Sequence, residues 1–403
     1  MHAVGVLQKC LGDALGRMHA ARSKTLLGAV AAVLAGRHLV LMDLARAWPG
    51  AERVRALLKR LDRLLGNRFL QAECRALYGA MAQWLIRHPR PVIIVDWSEL
   101  QPNGRWHLLR AGIPIGGRTV TIFEAVHPER LKNSPRAEGQ LLVQLRTLLP
   151  AGVTPILVTD AGFRAPWFRA VRRFGWDHVG RVRHRTRVQL EPRGPWVDNR
   201  RLHPLATYVP TRYASVRIVA NRPWTCDLVF YRKPPQGRAC LTKYGMPNQA
   251  NSGHSHKARG RAQDPWLLAT SLHAQRYTAK QIVALYGLRM QIESSFRDLK
   301  CERFGCAFAL SLTRSAERLT ILLLLHALAC FVAWLAAAAL HLHGSTTYGG
   351  IASRRLCAHY SRLRVAWEAL RHRDPECAGP RLWSAFTRPP DWLLRELGTV
   401  APA

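Results

Sequence analysis

The sequence predicts an α/β fold in which a mixed β-sheet is flanked by helices and interrupted by a mostly β insertion. Short apolar runs bounded by turn formers alternate with amphipathic helices in the middle of the chain. Hydrophobic residues make up 48% of the 403 residues, which suits a folded chain of several domains. We divide the chain into a helical N-terminal region (1–88), a first core part (89–182), a β-rich insertion (183–266), a second core part (267–342) and a small helical C-terminal region (343–403).

The N-terminal region is predicted to form helices over 23–36, 39–48 and 51–67. Ser23 is a candidate cap for the first helix, and Gly36 and Gly50 end the first two. The third helix carries an apolar stripe and a basic face, made of Arg53, Arg55, Lys59, Arg60 and Arg63. This face suits docking on DNA, and it equally fits a plain helical bundle with a solvated surface.

The first core part is predicted to contain three strands (92–96, 105–115 and 118–126), a helix (137–149), a strand (153–159), a helix (165–174) and a last strand in DHVGRVR. Gly116 and Gly117 are predicted to form the hairpin turn between the second and third strands. Three strands, a helix, a strand, a helix and a strand are the element order of an RNase H-like core.

Two aspartates are predicted at the ends of buried strands. Asp96 comes directly after the apolar run Val92–Val95, and Asp160 ends the run in VTPILVTDAGF. Carboxylates at the strand ends of an α/β sheet lie where active sites usually form. Each could instead be a helix cap or a turn residue. Other polar candidates fit less well: Glu99 and Glu124 as further acids, and His107 and His127 as ligands.

A helix in the second core part carries Tyr286, Arg289, Glu293 and Lys300. On one continuous helix these side chains would fall within an arc of roughly 60°. A carboxylate among cationic donors suits a metal-bound phosphodiester, because the acid holds the cation and the bases hold the phosphates. The alternative is a solvated helix face with the pairs Arg289/Glu293 and Glu293/Arg297.

The chain is strongly basic, with 60 Lys and Arg against 25 Asp and Glu, a net charge of +35. Such a field attracts polyanions, and arginine suits bidentate phosphate recognition. A membrane surface or a ribosomal partner would also explain the charge.

The run Leu319–Leu342 is long and apolar enough to be a transmembrane helix. Arginines flank both of its ends, so the run lacks the excess of positive charge at one end that is typical of transmembrane helices. We therefore favour a buried core helix and no membrane association.

The insertion is predicted to be mostly β, with its strands broken by prolines. Residues 252–263 are predicted to form a flexible basic loop. Aromatic residues interleaved with arginines suit contact with distorted DNA, and outward arginines over core aromatics are the alternative. By sequence alone, Trp266 at the start of WLLATSL is more typical of a core residue.

The nine cysteines contain no C-x2-C pair, which favours reduced thiols in a cytoplasm. The N-terminus has no signal-peptide pattern. A zinc site built from Cys301, Cys306, His254 and His256 is disfavoured, because no tight ligand pair recurs.

Asp96, Asp160 and Glu293 together resemble the acidic triad of the DDE transposases of bacterial insertion sequences. The Tyr-x2-Arg-x3-Glu-x6-Lys pattern is similar to the signature of one branch, the insertion-sequence-four family. DAGF at 160–163 and DPWLLATSL at 264–272 add to the resemblance, which covers roughly residues 22–340.

The resemblance implies a transposase that binds the ends of an insertion sequence and carries out metal-dependent cleavage and strand transfer. Two Mg²⁺ ions would be held, with Mn²⁺ as a substitute: Asp96 bridges both, Asp160 holds one and Glu293 the other. The implied DNA-binding residues are Tyr286, Arg289, Arg297, Lys300, Trp266 and Arg164. In hairpin-forming members, a tryptophan at the position of Trp266 stacks on a flipped base.

The implied partners are double-stranded DNA, as terminal inverted repeats and as target, and a second copy in a synaptic homodimer. The N-terminal helices are expected to bind the terminal repeats, and the protein to be cytoplasmic and nucleoid-associated. The alternative is a catalytically silent DNA-binding protein derived from a transposase.

Overall fold

The computed structural model describes residues 3–102, 104–183, 186–234, 264–342, 360–373 and 375–398. Contacts between Cα atoms divide the chain into two compact units. The first unit comprises residues 1–155 and 288–400, and the second comprises residues 156–287. The predicted loop at 252–263, with His254 and His256, lies outside the described residues.

The first unit begins with helices, as the sequence predicts. They are α1 (Ala3–Cys10), α2 (Gly12–Gly16), α3 (Ala20–Gly36), α4 (Leu41–Arg46), α5 (Val54–Leu65) and α6 (Arg68–Leu85). The predicted cap Ser23 is wrong, because α3 begins three residues earlier and the ring of His19 accepts the hydrogen bond from the Ala21 amide. On α5 the leucines Leu57, Leu61, Leu64 and Leu65 are buried, so its basic residues face outward.

Three antiparallel strands follow, in the spatial order β3-β2-β1: β1 (Val92–Glu99), β2 (Trp106–Ile115) and β3 (Arg118–Pro128). Gly116 and Gly117 form the predicted hairpin turn, and both have positive φ angles, 53° and 81°. The strand β1 runs past the predicted end at residue 96, so Asp96 lies inside it rather than at its end. The reason is that β1 keeps pairing with β2 as far as Glu99, opposite His107. Helix α7 (Pro135–Leu148) begins at the Ser134 cap.

The second unit contains the remaining strands and two helices. In chain order they are β4 (Ile156–Thr159), α8 (Ala165–Arg173), β5 (Asp177–Arg181), β6 (Arg187–Gln189), β7 (Val197–Asp198), β8 (Thr211–Ile218), β9 (Trp224–Tyr231), β10 (Trp266–Thr270) and α9 (Ala279–Gly287). A 3-10 helix spans Asn199–Leu205. Strands β4 and β5 are parallel, and the other pairs within this unit are antiparallel.

The β-rich insertion extends a sheet instead of forming a separate one. Within the second unit the strand order is β4-β5-β10-β9-β8-β6-β7, so β10 pairs with β5 on one side and β9 on the other. The insertion strands β9, β8, β6 and β7 therefore continue the sheet that β4 and β5 begin.

The rest of the first unit is helical: α10 (Met290–Lys300), α11 (Ala316–Leu342), α12 (Arg362–Arg371), α13 (Gly379–Thr387) and α14 (Asp391–Leu397), with 3-10 helices at Phe308–Ser311 and Pro375–Cys377. The segment Ala316–His341 of α11 is long and apolar enough to cross a membrane by length and composition. Its most apolar window is completely buried, and α11 packs against α3, α12, α13 and β3 within the unit. The prediction of a core helix is confirmed, because its apolar surface is covered by protein.

Candidate active site

In the first unit one guanidinium group joins two of the predicted acids. Arg289 Nη1 lies 2.6 Å from Glu293 Oε1 and 3.6 Å from Asp96 Oδ2. Asp96 is 7% exposed, and its Oδ1 accepts a hydrogen bond from the Trp97 amide at 2.8 Å. Because both carboxylate oxygens contact the same nitrogen, they lie no further apart than these two distances added together. The fold thus brings together two acids that are far apart in sequence.

The signature residues do not lie on one helix. Helix α9 ends at Gly287, two turn residues follow, and α10 begins at Met290 with Arg289 as its N-cap. Glycine at this point lowers helix propensity and permits the break. The prediction that Tyr286 shares one continuous helix with Arg289, Glu293 and Lys300 is therefore wrong, because Tyr286 lies on α9. The other three remain on or next to α10.

Lys300 is held at the end of β1. Its ammonium donates to Ser98 Oγ at 2.8 Å and to the Glu99 carbonyl at 3.0 Å, and it lies 5.9 Å from the ring centre of Phe296. Burial lowers the pKa of Lys300, and the nearby Glu99 raises it in part. Lys300, the last residue of α10, is therefore bonded to the strand that carries Asp96. Arg297, also on α10, is exposed.

Helix α10 is locked onto the hairpin by polar contacts. Ser295 Oγ accepts a hydrogen bond from the Thr119 amide at 2.7 Å, and Arg118 Nε contacts Asp298 Oδ2 at 2.5 Å. These contacts fix the rotation of α10 about its axis. Glu293 is consequently held on the side of the helix that faces Asp96.

The second unit holds Asp160, Arg164, Trp266 and Tyr286. Asp160 follows β4, as predicted, and its Oδ1 accepts from the Gly162 amide at 2.8 Å. Arg164 is the exposed N-cap residue of α8. Asp160 therefore begins a tight turn, and a half-buried carboxylate is displayed there.

Trp266 begins β10 and is half-buried rather than fully enclosed. Its ring meets Tyr286 edge-on, with ring centres 4.7 Å apart, and Tyr231 with ring centres 5.8 Å apart. Tyr286 itself is 4% exposed. The three rings form an aromatic cluster in which Trp266 stays partly exposed.

Comparison with known families decides the assignment. The model of the family described as "Transposase DDE domain" matches residues 87–330, which include Asp96, Asp160 and Glu293. The chain belongs to this transposase family. A solved structure with which it aligns is titled "Cryo-EM structure of piggyBac transposase synaptic complex with hairpin DNA (SNHP)". That alignment has 14% identity and a TM-score of 0.41, and it covers 99% of this chain and 83% of the other. No match is found among curated proteins.

DDE transposases generally use divalent metal ions. The donor set of Asp96 and Glu293 suits a hard cation, because it offers two carboxylates close together. Arg289 supplies the positive charge between them in this structure. Among the residues that the structure describes, no group of three or more His, Cys, Asp or Glu is arranged to hold a metal. Asp96 and Glu293 therefore offer two candidate carboxylate ligands and not a complete site of their own.

The zinc alternative gains no support from the thiols. Burial raises the pKa of Cys306 to about 12, which favours the neutral thiol over the thiolate that zinc requires. Cys301 is half-buried, and its sulfur accepts from the Phe304 amide at 3.4 Å.

A buried ionic row beside Asp96 was not predicted from the sequence. Arg110 lies opposite Asp96 on β2, and Glu124 lies opposite Arg110 on β3. Arg110 and Glu124 are 2.7 Å apart and almost fully buried, and Tyr78 donates to Glu124 at 2.8 Å. The available signal was an arginine and a glutamate inside two otherwise apolar strands. Glu124 is thereby accounted for as a partner of Arg110.

His107 and His127, which fit poorly as ligands by sequence, both contact neighbouring protein groups. His107 is buried and contacts Glu129 and the Gly104 carbonyl. His127 packs against Trp97 with ring centres 5.4 Å apart, and burial lowers its pKa.

Proposed function

We propose that this protein is a cut-and-paste transposase of the insertion-sequence-four type. It would bind the ends of its element, cleave DNA there and transfer the freed end to target DNA. The observation that carries the proposal is the contact of Asp96 and Glu293 with the same Arg289 nitrogen. Two acids held close together are suited to phosphodiester chemistry, which needs charge stabilisation at the entering and leaving oxygens.

The proposed triad is Asp96, Asp160 and Glu293. Support for Asp160 comes from its place in the matched family region and from its position in DAGF directly after β4. The element order from β1 to β5 supports an RNase H-like core. A divalent cation, Mg²⁺ with Mn²⁺ as a substitute, would bind these carboxylates and supply Lewis-acid stabilisation and an activated nucleophile.

The cationic side chains would bind the DNA backbone. Lys300, fixed against Ser98 and the Glu99 carbonyl, would donate to a phosphate beside the cut. Arg289 would turn from the carboxylates to a phosphate when DNA enters, and the exposed Arg297 and Arg164 would contact flanking phosphates. Tyr286 would donate a hydrogen bond from its hydroxyl to another phosphate.

In the first step a water molecule attacks a phosphodiester at the element end and releases a 3′-hydroxyl. In the second step this hydroxyl attacks another phosphodiester, with one P–O bond formed and one broken. The same acids serve both steps, because water and a sugar hydroxyl are both oxygen nucleophiles. The basic face of α5 supports an end-binding role for the N-terminal helices. Two ends would be held by a homodimer in a nucleoid-associated, cytoplasmic setting, without a membrane.

The test is metal-dependent nicking of a supercoiled plasmid that carries the DNA flanking the coding region. Asp96→Asn, Asp160→Asn and Glu293→Gln should each lower the nicking rate by about a hundredfold or more while DNA binding persists. Glu302→Gln, which changes an exposed acid just after α10, is the matched control. Wild-type nicking rates in the Glu293→Gln variant would refute the assignment. Binding without nicking by the wild-type chain would instead favour the silent DNA-binding protein.

Trp266→Ala tests the proposed base-stacking role of this residue. Stacking on an indole can offset the few kcal/mol that base extrusion costs. We expect first-strand nicking near the wild-type rate and later steps slowed by about tenfold or more, as measured by product analysis on gels. Equal loss of both steps would show that Trp266 only supports the aromatic cluster.

A further inference from the structure

In the segment between α10 and α11, polar side chains are buried and an apolar side chain is exposed, which is the reverse of the usual pattern. Ser311 and Thr313 are 9% and 6% exposed, whereas Leu312 between them is 80% exposed. Leu310 and Phe304 in the same segment are also exposed. Single exposed apolar residues are common, but here polar neighbours are buried while the leucine is presented to solvent.

The backbone at this point is strained. Leu312 has φ 53° and ψ 15°, in the left-handed region that a leucine rarely adopts. Strained residues persist where the surrounding structure holds them, and they concentrate at functional sites. The strained backbone therefore indicates that the outward position of the Leu312 side chain has a function.

Side chains of the β1–β2 hairpin hold the two carbonyls that follow Leu312. Gln101 Nε2 donates to the Thr313 carbonyl at 2.9 Å, and Trp106 Nε1 donates to the Arg314 carbonyl at 3.0 Å. These bonds tie the strained tip to the hairpin. Leu312 is thus a fixed projection and not part of a loose loop.

The same hairpin connects Leu312 to the candidate active site. Lys300 is bonded to the Glu99 carbonyl, two residues before Gln101. Exposed arginines accompany the tip, since Arg314 is exposed and Arg105 lies over the ring of Trp106. An apolar projection with cationic neighbours is complementary to DNA, whose bases are apolar on their faces and whose backbone is anionic.

We propose that Leu312 is a wedge that inserts between base pairs of the DNA held at the active site. This inference rests on the proposed function, because it assumes that Lys300 grips the DNA backbone. Insertion of an apolar side chain unstacks a base step and opens the duplex at that point. The rigid anchoring of Leu312 lowers the entropy that insertion would otherwise cost.

The experiment compares the full-length protein and its Leu312→Gly variant on two short duplexes of the same sequence. One duplex is fully paired, and the other has a single mismatch next to a 2-aminopurine. Glycine removes the side chain and adopts the left-handed backbone without strain, so the variant should fold. Leu312→Met keeps an apolar side chain, and Val143→Ala removes an exposed aliphatic group from α7 as the control.

Wild type, Leu312→Met and Val143→Ala should bind the mismatched duplex about tenfold more tightly than the paired one and raise the 2-aminopurine fluorescence. In Leu312→Gly the preference should fall to near one and the rise in 2-aminopurine fluorescence should be lost, because no side chain remains to insert at the weakened base step. A preference that survives in Leu312→Gly, or that is absent from the wild type, would overturn the proposal. Loss of self-association by Leu312→Gly, with DNA preference intact, would also overturn it and assign Leu312 to contact with a second copy.

The two experiments distinguish failure of the proposed catalytic function from failure of the wedge proposal. A wild-type chain that shows the Leu312-dependent preference but never nicks the plasmid would refute catalysis and leave the wedge supported.

Discussion

At the residue scale, Arg289 organises the candidate site. Two carboxylates held this close repel each other when both are ionised, and a shared guanidinium offsets that repulsion. Glu293 keeps a 42% exposed side chain, so it can exchange this partner for another cation. The contacts with Arg289 therefore offset the repulsion between Asp96 and Glu293, and Glu293 stays partly exposed.

Lys300 provides a prediction at this scale. Lys300→Ala should lower the slope of log affinity against log salt by about one, because one phosphate contact is lost. Lys300→Arg should keep the slope, since it keeps the charge. Because burial lowers the pKa of Lys300, its contribution to binding should fade before that of exposed lysines as the pH rises. Fluorescence anisotropy titrations at several salt concentrations measure the slope, and an unchanged slope in Lys300→Ala would exclude the contact.

At the scale of elements, the position of α10 on the β2–β3 hairpin determines where Glu293 lies. The buried Ser295 hydroxyl and the Arg118–Asp298 pair fix the helix against β3. Arg110 adds a contact to the Phe296 ring, with the guanidinium carbon 5.2 Å from the ring centre. The geometry of the candidate site therefore depends on residues that lie outside it.

Ser295→Ala tests this dependence. The change leaves the buried Thr119 amide without its acceptor, and such a loss costs about 1–3 kcal/mol. We expect the free energy of unfolding, measured by urea denaturation, to fall by that amount. Ser294→Ala alters the half-exposed neighbour on the same helix and should have little effect. Equal stability of the two variants would show that the Ser295 contact does not anchor α10.

At the scale of the whole molecule, each unit encloses a neutral histidine. His178 in the second unit packs against Phe168 and Trp224, with ring centres 4.8 Å and 5.1 Å away. His326 in the first unit lies beside Cys330, with Nε2 3.4 Å from the sulfur. Burial lowers the pKa of both histidines to about 3. Both units should therefore lose stability in acid.

His178→Phe tests the acid sensitivity of the second unit. Between the folded pKa of about 3 and the ordinary value of 6.5, the unfolded chain binds a proton that the folded chain does not. Wild-type stability should thus fall as the pH drops below 6.5, by about 1.4 kcal/mol per pH unit for each such histidine. His178→Phe should remove the contribution of one histidine to this loss of stability. His273→Gln, at an exposed position, should leave the loss of stability unchanged. Urea denaturation across this pH range measures it, and an unaltered fall in His178→Phe would contradict the assignment.

The sequence by itself determined the element types, the order from β1 to β5 and the residues worth testing. These features are local: apolar periodicity and turn formers reveal strands and helices, and Asp160 is recognisable at its strand end. The basic character and the core nature of α11 were likewise available from composition and flanking charge.

Only the tertiary structure decided which side chains meet. Gly287 divides the signature between two helices, which a helical projection could not reveal. The hydrogen bond from Lys300 to Ser98 and the ion pair of Arg289 with Asp96 depend on the packing of α10 against β1. The buried pair of Arg110 and Glu124 depends on strand register. Periodicity reports which face of an element is buried, whereas contacts between distant residues depend on how the elements pack.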